Sequence, residues 1–388
     1  MNQYCSMFSQ LLQLVPRLEF QQMVNQTKSE RHARGFTSWS QFVSMLFCQF
    51  GRANSLREIS GGLRSCEGKL KHLGISAPSH STLAYANEHR PWELYQEIFL
   101  KLFERCQSQC NIGKKKFRFK NKLISMDSSV IDLCLAIYDW AHFRRAKGAI
   151  KLHLLLDHDG YLPSFAIITD GKGSDIKIAR QFKFEPDTIV VDDRGYNDYE
   201  LFSRWTTQCV YFVTRMKENA VYEVIKDNKV PQNRHILKDE IIVFSDSRAF
   251  ENCPHHLRRI EFYDPAKKEI LVFLTNHLKL GSSTIAAIYK DRWQIELFFK
   301  AIKQNLKIKT FVGTSANAVK IQIWTALIAM LILRFLQLRS QFNWSLSNLV
   351  ALLRMNLFTH RDLWAWLDQP FEVLPALYEQ EQLRFNIA

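Results

Sequence analysis

Three successive patterns of apolar and polar residues run along this chain. Residues 1–112 follow a helical period in short segments that end at breaks rich in Gly and Asn. From Leu123 the pattern changes to short alternating or continuously apolar runs, which are typical of β-strands. After residue 340 the helical period returns, and its three tryptophans are expected to pack in the interior: Trp344, Trp364 and Trp366. The patterns predict an α/β protein with an all-α domain before a mixed sheet and a helical tail after it.

The first helical segment carries clear helix starts and many basic residues. Thr37 and Ser38 precede one apolar period, Ser55 and Glu58 form a capping-box pattern, and Ser81 is predicted to open a later helix. The basic side chains expected on the surface are Arg52, Arg57, Arg64, Lys69, Lys71, His72, His80 and Arg90. Short helices of this kind fit a helix-turn-helix-like DNA module. They fit a plain helical bundle with a solvated basic face equally well.

The central segment predicts a mixed sheet of ribonuclease-H-like order. Three strands, a helix, a strand, a helix and a strand follow one another between residues 123 and 216. The second and third strands form a hairpin through the turn at Asp159-Gly160, and Ser174 caps the first helix. The strand candidates are LISMDSSVIDL, AIKLHLLLDHDG, YLPSFAIIT, TIVVDD and CVYFVTRM, and the helix candidates are SDIKIARQF and YNDYELFSRW.

Residues 217–280 interrupt that order with three antiparallel-like runs, EIIVFSDSR, HLRRIEFYD and EILVFLT, which predict a β-rich insertion. Past the insertion come a helix around Glu296 and an apolar helix, Gln322–Leu338. The predicted domains are a helical N-terminal DNA-binding domain (1–112), a ribonuclease-H-like domain (113–216 and 281–340), the insertion (217–280) and the tail (341–388).

Charge indicates a polyanionic partner. Lys and Arg number 52 against 38 Asp and Glu, which gives +14 and a sequence pI of about 9.4, and nucleic acid is the usual partner of such a protein. The segment KKKFRFKNK (114–122) interleaves Phe with basic residues, as an edge strand or arm beside a phosphate backbone would, although a solvated linker would look similar.

Other features argue for a cytoplasmic protein with reduced thiols. The N-terminus lacks signal-peptide features, and the apolar run Ile323–Leu333 ends at Arg334, too short to span a bilayer, so no membrane partner is expected. The eight cysteines show no framework spacing. Neither Cys106 with Cys110 nor Cys253 with His255 and His256 offers the four ligands of a zinc site.

The stretch YKDRWQIELFFKAIK (289–303) combines polar residues that cannot be placed independently. On a single helix, Tyr289, Arg292, Glu296 and Lys303 fall within an arc of about 60°, along the edge of the apolar stripe. A glutamate there could serve a metal ion while its neighbours bind a phosphate. The alternative is a surface helix with a Glu296–Lys300 pair at i,i+4.

Two aspartates complete a candidate metal site with Glu296. Asp127 lies within the first strand, where a charge is costly unless it is paired or metal-bound. Asp192 and Asp193 end the fourth strand, and ligands collect at the carboxyl ends of strands in open α/β sheets. Alternation on a buried strand does not choose between Asp192 and Asp193. Two aspartates and a glutamate are what two Mg²⁺ ions need in order to cleave and join phosphodiesters.

These motifs resemble the DDE transposases of the insertion-sequence-four family, in the retroviral-integrase and ribonuclease-H-like superfamily. The family signature Tyr-x2-Arg-x3-Glu-x6-Lys is complete here as Tyr289, Arg292, Glu296 and Lys303. The second aspartate of the family precedes Arg-Gly-Tyr, which matches Asp193 here, and the first follows an apolar strand, as Asp127 does in ISMDSS. The segment from GFTSWSQ to NEHRPW also resembles the helical leader domain of one branch of these enzymes.

The resemblance implies roles for these residues. Asp127, Asp193 and Glu296 would be catalytic and would bind Mg²⁺ or Mn²⁺, as two ions. The groups that would bind DNA phosphates are Tyr289, Arg292, Lys303 and Arg194. Asp175 follows the third strand closely enough to support the site from behind.

The implied function is a transposase that binds the terminal inverted repeats of its insertion sequence and then cleaves and transfers strands into target DNA. It would act as a dimer in the DNA complex, associated with the bacterial nucleoid. Two alternatives remain, an inactive DNA-binding derivative or repressor and a nuclease without strand transfer. The complete motif argues against the first, and the sequence does not separate the second.

One departure from the family concerns base flipping. Some relatives carry a tryptophan in the β insertion that stacks on a flipped base, and here none lies between Trp205 and Trp293. Either bases are not flipped, or Tyr222, Tyr263 or Phe273 supplies the stacking surface.

Overall fold

The structure is a computed structural model that describes residues 5–31, 33–109, 116–134, 137–138, 140–144, 147–232 and 234–372. The predictions for Cys110, for the first two lysines of KKKFRFKNK and for the tail beyond residue 372 lie outside these residues. In the described ranges, seven N-terminal α-helices come first in the chain. Ten strands follow, with three α-helices between them, and five more α-helices come after the last strand. This confirms an α/β protein with helical segments on both sides of a mixed sheet.

The N-terminal helices begin largely where capping residues predict them. They are α1 (Met7–Leu12), α2 (Arg17–Thr27), α3 (Ser38–Gly51), α4 (Leu56–Ser65), α5 (Glu67–Leu70), α6 (His80–His89) and α7 (Glu93–Gln109). Thr37 caps α3, and Ser55 accepts a hydrogen bond from the Glu58 amide at 3.1 Å. The predicted cap at Ser81 is wrong. Ser79 caps α6 instead, because its hydroxyl accepts from the Thr82 amide at 3.1 Å.

One ten-stranded sheet forms the centre of the protein. Its strands are β1 (Leu123–Leu133), β2 (His142–Arg144), β3 (Lys147–Asp157), β4 (Leu162–Asp170), β5 (Ile189–Val191), β6 (Tyr211–Arg215), β7 (Tyr222–Asp227), β8 (Ile236–Phe244), β9 (Leu257–Asp264) and β10 (Glu269–Thr275). The order is β2-β3-β1-β5-β6-β10-β9-β8-β7, with β4 paired to β3. β1, β5 and β6 are parallel and the other pairs are antiparallel, which is the predicted ribonuclease-H-like arrangement extended at one edge. The predicted insertion strands therefore continue the central sheet through β10, which pairs with β6.

The remaining helices cover the sheet and close the fold. They are α8 (Asp175–Ala179), α9 (Tyr199–Thr207), α10 (Ser247–Asn252), α11 (Ser282–Asp291), α12 (Trp293–Asn305), α13 (Ala316–Arg339), α14 (Leu346–Asn356) and α15 (Leu363–Asp368). Ser174 caps α8 as predicted. The basic segment 116–122 is not a strand. Phe117 and Phe119 are half-buried and stack with 5.2 Å between ring centroids, whereas the basic residues of the segment are exposed.

Helix α13 is the centre of the largest core. It begins at Ala316, six residues before the predicted start, and its buried face packs together with α3, α6, α7 and α14 in one apolar cluster. By length and composition α13 could cross a membrane, but 89% of its most apolar window is buried within the protein. The N-terminal helices therefore share their core with α13, and the division at residue 112 remains a prediction.

Candidate active site

The parallel pairing of β1 and β5 brings the first two candidate carboxylates together. Ser125 pairs with Val191, and two residues beyond this pair come Asp127 and Asp193. Leu123 and Val191 pack on the sheet face covered by α11, whereas Met126 and Val190 pack on the opposite face against α9. Because side chains alternate along strands, Asp127 lies on the α11 face.

Asp193 and Asp192 are in different environments. Asp193 is half-buried, and its Oδ1 accepts a hydrogen bond from the Gly195 amide at 2.8 Å. A Cβ on Gly195 would lie only 2.9 Å from that oxygen, so glycine permits this contact. Asp192 is fully buried, and burial raises its pKa well above the ordinary value although the nearby Thr214 hydroxyl opposes this. Asp192 is therefore suited to be a neutral core group, whereas Asp193 is suited to be an anionic ligand.

Burial dominates the electrostatics of Asp127. It raises the pKa of Asp127 to about 6, and the neighbouring charge of Asp193 adds to this effect. A hydrogen bond from the Ser128 amide, 2.7 Å long, and the guanidinium of Arg292 act in the opposite direction. Carboxylates this close repel one another, and a cation between them relieves that repulsion.

Arg292 supplies a cation at the site. Its Nη2 lies 2.7 Å from Glu296 Oε1, and its Nη1 lies 3.8 Å from Asp127 Oδ2. The Arg292 side chain is 11% exposed, so water screens its attraction to both carboxylates less than it screens a pair on the surface. The alternative partner of Glu296, Lys300 on a solvated helix face, is not the one observed.

The predicted single helix over residues 289–303 is wrong. α11 ends at Asp291 and α12 begins at Trp293, with Arg292 between them. Tyr289 therefore belongs to α11 and packs on Phe273 with 4.8 Å between ring centroids. Lys303 belongs to α12 and donates hydrogen bonds to Ser129 Oγ at 2.7 Å and to the Val130 carbonyl at 3.0 Å. Both helices nevertheless direct the signature residues toward β1 and its neighbours.

Arg194 is at the periphery of the site. Its side chain is 46% exposed and forms an ion pair of 2.7 Å with Glu218. Phe273, one of the three residues considered for base stacking, is 1% exposed and cannot present its ring to a base. Tyr222 and Tyr263 are half-buried.

A cluster behind Asp127 includes residues that the sequence did not identify. Asp175 accepts hydrogen bonds from Ser128 Oγ at 2.7 Å and from Lys151 Nζ at 2.5 Å. His153 lies 3.4 Å from the same carboxylate, and burial lowers its pKa to about 4. Asp175 thus holds the residue next to Asp127. The signal available in the sequence was the spacing of Lys151 and His153 by two in one strand, which puts both on one face.

The donor set suits a hard divalent cation. Carboxylate oxygens are the ligands that Mg²⁺ and Mn²⁺ prefer, and the negative charge of Asp193 adds to the raised pKa of Asp127, as a nearby anion does. Within the described part of the chain, no three carboxylate, imidazole or thiol groups are already close enough to hold one ion together. Arg292 lies against two of the three carboxylates, so ion binding requires its guanidinium to move.

Fold and site together define a nucleic-acid-processing enzyme of the ribonuclease-H-like class. The family model for the transposase DDE domain matches residues 118–332, and a domain of unknown function, DUF4372, matches residues 4–76. The chain belongs to the DDE transposases, enzymes that cleave and join DNA strands and depend on divalent metal ions. Bacterial insertion-sequence transposases of this kind act in the cytoplasm.

Two relatives that are similar in sequence agree with this assignment. A Sinorhizobium fredii protein that carries the name transposase y4zB is 31% identical over 77% of this chain and 83% of its own length. A Geobacillus stearothermophilus protein, named as a probable transposase for insertion sequence element IS5377, is 27% identical over 71% of this chain and 72% of its own. Among solved structures, a piggyBac transposase synaptic complex with hairpin DNA aligns with 97% of this chain and 84% of its own at 9% identity and a TM-score of 0.41.

The raised pKa of Asp127 predicts a pH-dependent stability without metal. The folded state keeps this proton up to a pH of about 6, whereas the unfolded chain loses it near the ordinary aspartate pKa of 3.8. The contribution of this proton to the free energy of unfolding is fully present below about pH 4 and is lost as the pH rises through about 6. At pH 8 the free energy of unfolding of Asp127→Asn should therefore exceed that of the parent by about 1–3 kcal/mol. The variant should accordingly unfold at a higher urea concentration. The two proteins should converge at pH 4.

Asp170→Asn, at the exposed end of β4, is the control for this measurement. It should not change the free energy of unfolding at either pH. A parent protein that is as stable as Asp127→Asn at pH 8 would contradict the buried, strained position of Asp127.

Proposed function

We propose that this transposase binds the terminal inverted repeats of its insertion sequence and moves the element by metal-dependent cleavage and strand transfer. Asp127, Asp193 and Glu296 are the proposed catalytic residues and ligands of two Mg²⁺ or Mn²⁺ ions. The observation that carries this proposal is the location of Asp127 and Asp193 at adjacent parallel strands, beside the ion pair of Arg292 and Glu296. When bound, the ions would activate the attacking hydroxyl or water and stabilise the leaving oxygen.

The residues around the carboxylates would align the DNA. Arg292 can exchange Glu296 and Asp127 for a phosphate, which its planar guanidinium binds with two parallel hydrogen bonds. Lys303 holds the β1 backbone, and an ammonium group has three donors, so it can bind a phosphate in addition to Ser129 and Val130. Tyr289 and Arg194 would add contacts on either side. These are proposed positions on the DNA path.

Pairing of two element ends requires two active sites, and we propose a dimer in the DNA complex. The net charge of +14 supports association with the nucleoid. The exposed basic residues of the N-terminal helices are the proposed recognition surface. Arg90 is not part of that surface, because its guanidinium is half-buried and donates to the Phe36 carbonyl and, at 3.3 Å, to Gln41 Oε1.

Substitution of the carboxylates tests the catalytic assignment. Asp127→Asn, Asp193→Asn and Glu296→Gln keep the shape and remove the anionic ligand, so cleavage of labelled element ends should fall on the order of 10³-fold or more. DNA affinity should persist. Asp192→Asn should cleave normally, since a buried neutral carboxyl is replaced by a neutral isostere.

The opposite result for Asp192 and Asp193 would move the second ligand by one residue. Reaction products distinguish the alternatives with a supercoiled target. Joined strands identify a transposase, nicks alone identify a nuclease, and binding without either identifies a DNA-binding derivative.

The phosphate contacts predict a different kinetic behaviour. Lys303→Ala should keep metal binding, reduce the salt slope of DNA binding by about one unit and slow cleavage through misalignment. Arg292→Lys should also be slow, because the charge remains and the planar fork is lost. Normal cleavage and an unchanged salt slope in both Lys303→Ala and Arg292→Ala would show that these side chains do not contact DNA.

Recognition by the N-terminal helices can be tested in the full chain, whose core these helices share. Replacement of the exposed Arg57, Arg64 and Lys69 by Ala should weaken binding to terminal-repeat DNA and reduce its advantage over scrambled duplex at physiological salt. Lys229→Ala combined with Lys267→Ala and Lys268→Ala, in exposed turns of the β-rich insertion, is the charge-matched control. A larger loss in the control than in the helices would move recognition to the β-rich insertion.

A further inference from the structure

A buried hydrogen-bonded chain connects β1 to the junction between α11 and α12. Ser125 Oγ lies 2.6 Å from His158 Nε2, and His158 Nδ1 lies 2.6 Å from Asp291 Oδ2. Ser125 precedes Asp127 by two residues, so both lie on the same face of β1. Asp291 directly precedes Arg292, which contacts Asp127 and Glu296. The chain therefore joins the two elements that carry the candidate site.

The order Ser–His–Asp matches that of a nucleophilic triad, but burial excludes this chemistry. Ser125 is 0% exposed, and the side chains of His158 and Asp291 are 5% and 1% exposed. A nucleophile needs a substrate within contact distance, and these atoms are enclosed by the sheet, the β3–β4 turn and α11. The geometry therefore permits a structural role for Ser125, His158 and Asp291.

The β3–β4 turn, residues 158–161, carries the middle of this chain. Gly160 has φ +83°, a left-handed conformation that favours glycine at this point of the turn. Tyr161 follows with φ 53°, a left-handed conformation that is unfavourable for a residue with a Cβ. In that conformation its hydroxyl donates to Asp291 at 3.1 Å.

Asp291 collects several donors. Besides His158 and Tyr161, Lys116 of the basic segment binds the same carboxylate. Burial alone would raise the pKa of Asp291, but the hydrogen bonds from His158 and Lys116 outweigh burial and lower it. An anionic carboxylate with these partners fixes the last residue of α11 firmly.

The contacts of Asp291 bear on the start of α12, whereas the rest of this helix is held by its buried apolar side chains and by Lys303. α12 has no side-chain cap at its start, and one residue alone separates it from α11. Glu296 lies in the first turn of α12, so a small rotation at residue 292 would displace its carboxylate together with the Arg292 guanidinium that pairs with it. Misplacement of a reacting group by about 1 Å can cost 10²-fold in rate.

We propose that Ser125, His158 and Asp291 form a positioning relay, which holds the α11–α12 junction against β1 and thereby sets the placement of Glu296 and Arg292 relative to Asp127. The expected effect of the relay on cleavage rests on the proposed function, in which Asp127 and Glu296 are catalytic. Its effect on the order of α12 is independent of that role.

Asp291→Asn and Asp239→Asn are a matched pair of variants for the test. Both carboxylates are 1% exposed, both bind cationic or imidazole donors, and both have a lowered pKa. Asp239 pairs with Arg258 in the β-rich insertion and lies beside Ser282, at the end of α11 opposite the junction. Hydrogen–deuterium exchange of residues 292–300 is measured in the full chain without DNA or added metal. Asp291→Asn should exchange there on the order of tenfold faster, and Asp239→Asn should match the parent.

Cleavage of element ends at saturating DNA then gives the functional part. Asp291→Asn should be slower by about 10-fold to 100-fold with unchanged DNA affinity, whereas Asp239→Asn should not. Equal exchange in α12 for both variants would overturn the relay. Loss of exchange protection in Asp291→Asn combined with a parent protein that does not cleave would instead contradict the proposed function and leave the relay standing.

Two substitutions of His158 test the same relay without removing the acid. The amide nitrogen of Asn superposes on imidazole Nδ1, and that of Gln on Nε2. His158→Asn should therefore keep the bond to Asp291 and protect α12 better than His158→Gln, which keeps the bond to Ser125. The reverse order would overturn the relay, because the link to Asp291 is the one that reaches α12.

Discussion

The parallel pairing of β1 with β5 is the constraint on which the site depends. The pairing is short, since β5 has only three residues. It brings Asp127 on β1 close to Asp193, which follows the end of β5. Both strands are buried on two faces, so their register cannot slip without moving an entire apolar set. The cost of holding carboxylates there is visible in the raised pKa of Asp127. A site with this electrostatics is strained without a cation and is stabilised by one.

Arg292 resolves that strain within the protein itself. Its guanidinium contacts Asp127 and Glu296, which joins α12 to β1 by charge, while Asp291 joins the same junction to β1 through His158 and Ser125. The consecutive residues Asp291 and Arg292 thus connect the junction to β1 in two different ways. The contact of Asp291 is buried, whereas Glu296 is half-buried, and we propose that Glu296 exchanges Arg292 for a metal ion. This division lets the site rearrange at its surface without losing its frame.

Much of this arrangement was readable from the sequence, and the exceptions have physical reasons. Alternation predicted β1 and the hairpin, and capping residues predicted α3, α4 and α8, because these signals are local. The break at Arg292 was not predicted, since the apolar periodicity continues across it. Asp192 could not be separated from Asp193 by pattern, because the choice depends on which sheet face each strand buries. Arg90 looked like a surface charge, and its packing on Phe36 arises from residues far along the chain.

Location of the metal ions is the most direct test of this account. Crystals of the protein with element-end DNA and Mn²⁺ would show the ions by anomalous scattering, independently of any activity. We expect manganese between Asp127 and Asp193 on the α11 face of the sheet, with Glu296 turned toward it and Arg292 on a phosphate. Manganese bound through Asp192 on the opposite face, or Arg292 still paired with Glu296 beside a bound ion, would contradict the account.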